Sequence, residues 1–260
     1  TTAIADLDDL SGTGHAYTIT VATADVTAAA LNTVNAATTV NVTATAVTNI
    51  TGTRTQLATT YGGGITGLGD ETITVSDANI TSTQANTIDG YTTAAVTATI
   101  STTAIADLDD LAGTGNAYTI TVATGSVTAA ALNAVNAATT VQVTATAVTA
   151  ISGTNAQLVT LFTADGNNEI NIDGNANLTV TDAVTVTEAN VLNGYTSNPV
   201  TATISTTAIA DLDDLAGTGN AYTVTVADSA VTAAALNTVN AATTVNVTAT
   251  AVTQITGTAA

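Results

Sequence analysis

The sequence predicts a mainly β fold, a repetitive parallel β-solenoid in which short helical segments lie between the strands. Three observations lead to this prediction. The segment that begins at Thr1 returns as near copies at Thr102 and Thr206, offsets of 101 and 104 residues. Runs that alternate apolar and polar residues recur in each copy, as expected of strands with one buried face. The apolar residues are nearly all Ala, Val, Ile and Leu, with one Phe and no Trp or Met, which fits a thin core.

The copies divide the chain into three repeats of one continuous solenoid, at residues 1–101, 102–205 and 206–260. The last is the first half of a repeat. Tandem units of this kind usually stack on their neighbours as quasi-one-dimensional arrays. We interpret the 260 residues as an excerpt of a longer array, since neither end resembles a dedicated cap. A string of β-sandwich domains of about 100 residues is the competing fold, and the helical segments inside every copy argue against it.

Alternating runs mark the strands, with Val, Ile or Ala on one face and Thr or Asn on the other. These runs start at residues 16, 38, 71, 94, 117, 139, 177, 199, 221 and 243. Stacked coils would place the strands parallel and about 4.8 Å apart. Valines such as Val40 and Val42 are expected to point into the core.

Short helices are predicted between the strands. Ile105, Leu108 and Leu111 recur at helical spacing behind a Thr cap, and Thr27 can cap a turn that carries Leu31 inward. One coil, a strand with its helical turn, spans roughly 21–25 residues. Two longer intervals place extra residues at 60–71 and 163–177, where we expect protruding loops or an extra hairpin.

The charge is strongly one-sided. Twenty acidic residues face one Arg, one His and no Lys, for a net charge of −19. Nucleic acid is excluded as a partner because phosphates must be neutralised by cations, and an anionic membrane is disfavoured for the same reason. No stretch resembles a membrane span, and without cysteines there is no disulfide or thiol chemistry.

The single His and the single Arg also argue against an enzyme. His15 is replaced by Asn116 and Asn220 in the other copies, and Arg54 is replaced by Asn155. Acid–base or nucleophilic catalysis normally needs a His, or a carboxylate tuned by a nearby cation. Chemistry shared by the repeats therefore cannot depend on either residue, and we predict no catalytic site and no cofactor apart from Ca²⁺.

The two long loops and their neighbouring strands are the candidate Ca²⁺ sites, because hard cations prefer several carboxylate oxygens. GGGITGLGDETITVSD supplies Asp70 and Asp77, and its Gly- and Asp-rich turn resembles the RTX repeat. The second loop, DGNNEINIDGNAN, and the strand after it supply the other candidates: Asp165, Glu169, Asp173 and Asp182. Structural Gly and Asn turns would explain both loops without a metal.

Thr-x-Thr pairs form a further candidate surface, for example Thr97 with Thr99 and Thr119 with Thr121. On a flat solenoid face such pairs would repeat every ~4.8 Å, which resembles the Thr arrays of ice-binding β-solenoids. The alternative is that Thr is an ordinary polar strand former.

The phrases ITVSDANITSTQANTIDGYT and LTVTDAVTVTEANVLNGYT, with the Thr-, Ala-, Val- and Asp-rich composition, resemble bacterial cell-surface proteins. These are the S-layer proteins and the giant repeat adhesins or extracellular matrix proteins of cyanobacteria and proteobacteria, often with RTX-like β-solenoids. The resemblance implies a secreted, extracellular structural protein that assembles with copies of itself into a layer or filament. It also implies Ca²⁺ dependence and contact with cell-surface polysaccharide. The alternative function is an adhesin stalk that binds glycan or ice through its Thr-rich face.

Overall fold

The computed structural model describes residues 2–7 and 9–257. Ten short helices lie within these residues: α1 Ile4–Leu7, α2 Ala28–Ala36, α3 Arg54–Thr60, α4 Ser82–Asp89, α5 Ile105–Leu108, α6 Ala129–Ala137, α7 Asn155–Gly166, α8 Val186–Asn193, α9 Ile209–Leu212 and α10 Ala233–Ala242. The strands are β1 Asp25–Thr27, β2 Val42–Thr43, β3 Asn49–Gly52, β4 Ile65–Thr66, β5 Thr72–Val75, β6 Val96–Thr99, β7 Ala117–Thr119, β8 Ser126–Thr128, β9 Val143–Ala145, β10 Ala150–Gly153, β11 Ile170–Ile172, β12 Asn177–Val184, β13 Val200–Ile204, β14 Ala221–Thr223, β15 Ala230–Thr232 and β16 Gln254–Thr256.

The chain divides into two compact units. Unit 1 comprises Thr1–Thr121 with Ala134–Val143, and unit 2 comprises Val122–Asn133 with Thr144–Ala260. Each unit holds one five-stranded parallel sheet whose strands follow the chain order, β1-β3-β5-β6-β7 in unit 1 and β8-β10-β12-β13-β14 in unit 2. Below, a coil is one strand of such a sheet with the chain that leads to the next strand.

Parallel pairing explains why helices are so frequent. Two consecutive parallel strands need a crossover that returns the chain to the same edge, and paired residues lie between 20 and 27 positions apart, as in Thr97↔Ala117 and Ala150↔Asn177. Most crossovers hold a helix. The fold is therefore mixed α/β with parallel strands, and the expectation of a mainly β chain is not confirmed. None of the helices in the described part of the chain has the length and apolar character to cross a membrane.

The core of each unit lies between the inward face of its sheet and the helices. Ile50, Ile73 and Leu57 are fully buried in unit 1. The helices approach the strands closely because the contact residues are small: a Cβ on Gly52 would lie 2.6 Å from the Ala28 Cβ. A side chain at this glycine would push α2 away from β3, so the Ala- and Gly-rich composition follows from a thin core.

The strand prediction is confirmed for the runs at residues 71, 94, 177 and 199, which coincide with β5, β6, β12 and β13. It is wrong at Val40, which is 38% exposed, whereas Val42 is fully buried. The inward alternation therefore begins two residues later than expected. Several of the first strands in the main sheets, β1 and β3 among them, are not predicted from the sequence. These strands are short and a helix follows almost at once, so an alternating run has no room to develop.

The helix prediction is confirmed for α2, where the Thr27 side chain accepts the Ala30 N–H as an N-cap. It is partly wrong for α5, whose N-cap is Ala104 and which has no side-chain cap. The region between residues 60 and 71 is not a hairpin, since β4 pairs in parallel with β2. Four further helices, α3, α4, α7 and α8, lie where only loops or strand ends are expected from the sequence.

The first prediction uses two isoleucines at the same repeat position. Ile50 is fully buried and Ile255 is 60% exposed. We expect Ile50→Ala to lower the free energy of unfolding by about 2–5 kcal/mol, because it leaves a cavity. Ile255→Ala should lower it by less than about 0.5 kcal/mol. Urea unfolding with hydrogen exchange at β3 would measure both changes, and equal losses would contradict the buried placement of Ile50.

Candidate functional site: contacts between successive coils

Asparagine side chains on the helices link each coil to a later one. In unit 1 the Asn32 Nδ2 donates to the Gln56 carbonyl at 2.9 Å. In unit 2 the Asn133 and Asn190 Nδ2 atoms donate to the Gln157 and Asp214 carbonyls at 3.0 and 2.9 Å. Each bond spans 24 residues of sequence. A helix thereby supplies side-chain donors to backbone carbonyl groups of a later coil.

Helix N-termini are capped from two directions. The N-cap Thr of α3, α4, α7 and α8 accepts the N3 N–H, and the N3 Gln or Glu returns a bond to the N-cap N–H, which completes a capping box. In addition, the first N–H of six helices donates to a side chain 19 to 27 residues further along the chain. Four of these six helices, α3, α4, α7 and α8, also have the capping box. The pairs are Ile4 with Thr23, Arg54 with Asp77, Ser82 with Thr102, Asn155 with Asp182, Val186 with Thr206, and Ile209 with Asp228.

Buried asparagines join coils where one long repeat meets the next. Asn116 is 1% exposed. Its Oδ1 accepts the Val96 N–H at 2.7 Å and its Nδ2 donates to the Asp89 Oδ1 at 2.7 Å. Asn220 makes the same pair of bonds, to the Val200 N–H and the Asn193 Oδ1, both at 2.9 Å. The amide suits this position because it donates and accepts at once.

The equivalent residue of the first repeat is His15, and its surroundings differ. His15 is exposed and its ring stacks on Tyr17 with centroids 5.0 Å apart. Tyr17 is 40% exposed, whereas Tyr118 and Tyr222 at the same position are fully buried. Residues 15–17 therefore present a surface that a preceding coil covers in the later repeats.

A buried carboxylate organises the first long loop. Glu71 is fully buried. It accepts the Tyr61 hydroxyl at one oxygen, and the N–H groups of Gly69 and Asp70 at the other, at 2.8 and 3.3 Å. Burial, the hydrogen bond to Glu71 and its negative charge together raise the pKa of Tyr61 far above its ordinary value. The carboxylate therefore closes the end of the glycine-rich loop, because it joins two backbone N–H groups of the loop to the Tyr61 side chain.

The second repeat lacks both polar members of this cluster. Phe162 occupies the position of Tyr61, and the 1% exposed Ala176 occupies that of Glu71. Ring stacking is retained, at 4.7 Å for Tyr61 with Tyr91 and for Phe162 with Tyr195. The backbone contact is retained as well: Thr92 and Thr196 each donate at 2.6 Å to the carbonyl of the residue at that position. The hydroxyl and the carboxylate are thus both present in one copy and both absent from the other, as expected if either alone would be costly.

Two of the six predicted Ca²⁺ ligands are helix caps. Asp77 accepts the Arg54 N–H at 2.6 Å and Asp182 accepts the Asn155 N–H at 2.8 Å. They occupy the same position in the two repeats. A carboxylate is favoured there by the unpaired N–H groups and the positive end of the helix dipole, without any metal.

The other four candidates lie in the two regions predicted as long loops, and the structure places Asp165 in the last turn of α7. Asp165 accepts the Ile172 N–H at 2.8 Å, and Asp173 accepts the backbone and side-chain N–H groups of Asn175 at 3.2 and 2.6 Å. Asp70 and Glu169 are exposed. Residues 2–7 and 9–257 hold no group of three or more His, Asp or Glu side chains that could bind a metal ion. The described residues thus bring no three of the six candidates together, and Ca²⁺ binding at either of the two regions stays a prediction.

The Thr-x-Thr pairs do not align as a two-column array. Thr97 pairs with Ala117, and Thr99 pairs with Thr119, so neighbouring pairs are displaced by two residues. Unit 2 shows the same displacement at Thr201↔Ala221. A single file does form in unit 1, where Thr27, Thr51, Thr74 and Thr97 are in register.

The residues that sequence reasoning missed have a recognisable signal. Thr-x-x-Gln or Thr-x-x-Glu occurs at Thr53, Thr81, Thr154 and Thr185, and each motif starts one of the four unpredicted helices. The roles of Asp77, Asp182 and Glu71 had no such signal, because their partners are set by the fold.

A variant series should test the Tyr61–Glu71 pair. Tyr61→Phe leaves the buried carboxylate without its hydroxyl donor, and we expect a loss of about 1–3 kcal/mol in the free energy of unfolding. Tyr61→Phe combined with Glu71→Ala, which copies the second repeat, should cost less than the sum of the single changes. Phe162→Tyr is the matched control, with a hydroxyl but no carboxylate. Additive losses measured by urea unfolding would contradict the pairing.

Alkaline titration should separate the buried tyrosines. Burial raises the pKa of Tyr222 to about 12, and burial followed by the charge of Asp89 raises the pKa of Tyr118. A tyrosine of the unfolded chain ionises near pH 10. These groups therefore stabilise the fold fully below about pH 10, and their contribution is lost as the pH rises further. Tyrosinate absorbance should increase in step with unfolding as the pH rises. Tyr222→Phe should remove part of the absorbance increase that accompanies unfolding. Complete ionisation of the folded chain near pH 10 would contradict the burial.

Comparison with known proteins gives no match: no family model, no curated protein and no solved structure matches the chain. The repeats of this chain can, however, be compared with one another. They agree in the contacts between coils and differ in the chemistry of the side chains that make them.

Proposed function

We propose that the chain is a structural repeat module of an extracellular bacterial surface layer, filament or matrix, and that its coils form a β-solenoid. The observation that carries this proposal is the bonding between coils. Parallel strands, Asn donors and side-chain caps link each coil to a later one in both units. Because these hydrogen bonds hold successive coils of the chain together, the molecule is suited to a mechanical, structural role.

The chemistry of the side chains supports a non-enzymatic role. His15 and Arg54 are both exposed and neither is shared by the repeats. The described aspartates with the most defined geometry act as caps or close loops. No step of catalysis follows from such groups, since their hydrogen bonds are made to backbone N–H groups of the chain itself.

The acidic surface and the resemblance to secreted repeat proteins support an extracellular location. A net charge of −19 keeps a repetitive chain soluble and repels like arrays. Divalent cations would screen that repulsion and could bridge arrays without a dedicated site. We therefore propose that Ca²⁺ promotes assembly by screening the surface charge. In this proposal the six Asp and Glu residues named above need not form a fixed coordination site.

The second candidate function is an adhesin stalk, and the single file of Thr27, Thr51, Thr74 and Thr97 favours it. Hydroxyl groups repeated at the strand spacing offer a regular surface to glycan or ice. Thr51→Val and Thr74→Val together would keep the strand shape while removing two hydroxyls. Loss of surface binding with unchanged assembly would support the adhesin over the structural module.

Electron microscopy of the purified chain, with and without a Ca²⁺ chelator, tests the proposed function. We expect ordered filaments or sheets, because the acidic modules are built to stack, and we expect them to disperse on chelation if cations screen the surface charge. Assemblies that survive chelation would keep the structural role and remove the metal. Isolated rods under both conditions would contradict self-assembly and favour the adhesin stalk.

A further inference from the structure

One asparagine of unit 2 precedes a glycine and lies where one coil bonds to a later one. Asn193 is the only asparagine in the sequence whose next residue is Gly. It is the last residue of α8, and Gly194 is the C-cap, with φ −73° and ψ −16°. Asn193 is half-buried and Gly194 is exposed, so water reaches the peptide bond between them.

An Asn–Gly pair can react with itself. The backbone nitrogen of the glycine attacks the Asn Cγ, a C–N bond forms, and the side-chain amide leaves as ammonia. Water then opens the five-membered succinimide ring, so that in sum an amide and water become a carboxylate and an ammonium ion. Glycine has no Cβ to obstruct this attack and adopts a wide range of backbone angles. Every other asparagine of the chain precedes a residue that has a Cβ.

The nitrogen that must attack is held by the end of a helix. The Gly194 N–H donates to the Asn190 and Val191 carbonyls, at 3.2 and 3.0 Å, and it must leave both before the ring can form. These bonds belong to the last turn of α8, and helix ends open at a lower free energy than the rest of a fold. The reaction therefore requires the end of α8 to open, and it does not require unit 2 to unfold.

The surroundings of Asn193 use one end of its amide. Its Oδ1 accepts the Asn220 Nδ2 at 2.9 Å. Within residues 2–7 and 9–257 the Asn193 Nδ2 makes no hydrogen bond. Gly217 leaves room for both atoms, since a Cβ there would lie 2.7 Å from the Oδ1 and 2.8 Å from the Nδ2. Replacement of the Nδ2 by an oxygen therefore breaks no hydrogen bond of the described residues.

The first repeat holds a carboxylate at the same place. An Asp–Gly pair, Asp89 with Gly90, occupies the equivalent position. The Asp89 Oδ1 accepts the Asn116 Nδ2 at 2.7 Å, and a Cβ on Gly113 would lie 2.6 Å from each of the two carboxylate oxygens. A carboxylate thus fits this position of the repeat with the same amide donor and the same neighbouring glycine.

We propose that Asn193–Gly194 is a site of spontaneous deamidation in the folded chain, and that the aspartyl product keeps the hydrogen bond to Asn220. The modification adds one negative charge where the second repeat meets the third. That junction then has the same ionised group as the junction between the first and second repeats. This inference stands on the chemistry of the pair and does not depend on the proposed function.

Peptide mass mapping of the folded chain during incubation at mildly alkaline pH tests the reaction. We expect the mass gain of deamidation at Asn193 before any other asparagine. Gly194→Ala should slow the reaction by at least about tenfold, because the added Cβ hinders the approach of the nitrogen to the Asn193 Cγ. Asp89→Asn is the matched control, since it places the same pair in the first repeat and should add a second reactive position.

Three results would overturn the reaction in the folded chain. The first is another asparagine that reacts as fast as Asn193. The second is deamidation that occurs only after the chain is unfolded in urea. The third is an unreactive position 89 in the Asp89→Asn chain, because that position has the same helix end and the same donor.

Urea unfolding at neutral pH tests whether the product fits. Asn193→Asp has the chemistry of the aspartyl product, and we expect its unfolding midpoint to stay close to that of the unchanged chain. Asn193→Leu is similar in size but cannot accept the Asn220 Nδ2, so its midpoint should fall. Equal losses in the two variants would show that the carboxylate does not keep the bond.

Discussion

Every part of this structure depends on hydrogen bonds that one coil makes to another. The first N–H of a helix has no partner within the helix, and in six helices it is met by a Thr or Asp one coil later. A coil taken alone would leave that donor, its strand edge and its apolar face exposed. Short polar side chains thus join the coils alongside the apolar core, which explains why Thr, Asn and Asp occupy so many of the polar positions.

The core follows from the same constraint. Coils can bond through short side chains only if their backbones are close, so the contact between α2 and β3 uses Ala28 against Gly52. The largest of the fully buried side chains lie where one long repeat meets the next. There Tyr118 and Tyr222 are fully buried, and the adjacent Asn116 and Asn220 bond to the preceding coil. The junction between repeats therefore combines the largest buried side chains, the two tyrosines, with a buried amide.

Much of the fold was accessible from the sequence, and the limits have physical causes. Period-two runs predicted β5, β6, β12 and β13, and Thr27 predicted the start of α2, because these signals are local. The phase of the alternation was right, because Val40 and Val42 have the same parity, but Val40 lies at a bend before β2 begins at Val42, and a run of alternating residues does not mark where its strand starts. The acidic residues were read as Ca²⁺ candidates because a carboxylate that caps a helix 23 residues away, as Asp77 does for Arg54, leaves no mark in its own segment.

The differences between the copies say more about function than their similarities, which recent duplication alone would produce. Tyr61 and Glu71 correspond to Phe162 and Ala176, and Asp89 corresponds to Asn193, while the ring stacking, the Thr92 and Thr196 bonds and the bonds of Asn116 and Asn220 occur in both copies. A catalytic or metal-binding site constrains the identity of its groups, because chemistry depends on charge and proton affinity. A stacking interface constrains only shape and the balance of donors and acceptors. Glu71 and Asp89 correspond to the neutral Ala176 and Asn193, while the ring stacking and the Thr and Asn hydrogen bonds are common to both copies, so the copies share contacts between coils rather than a set of ionised groups.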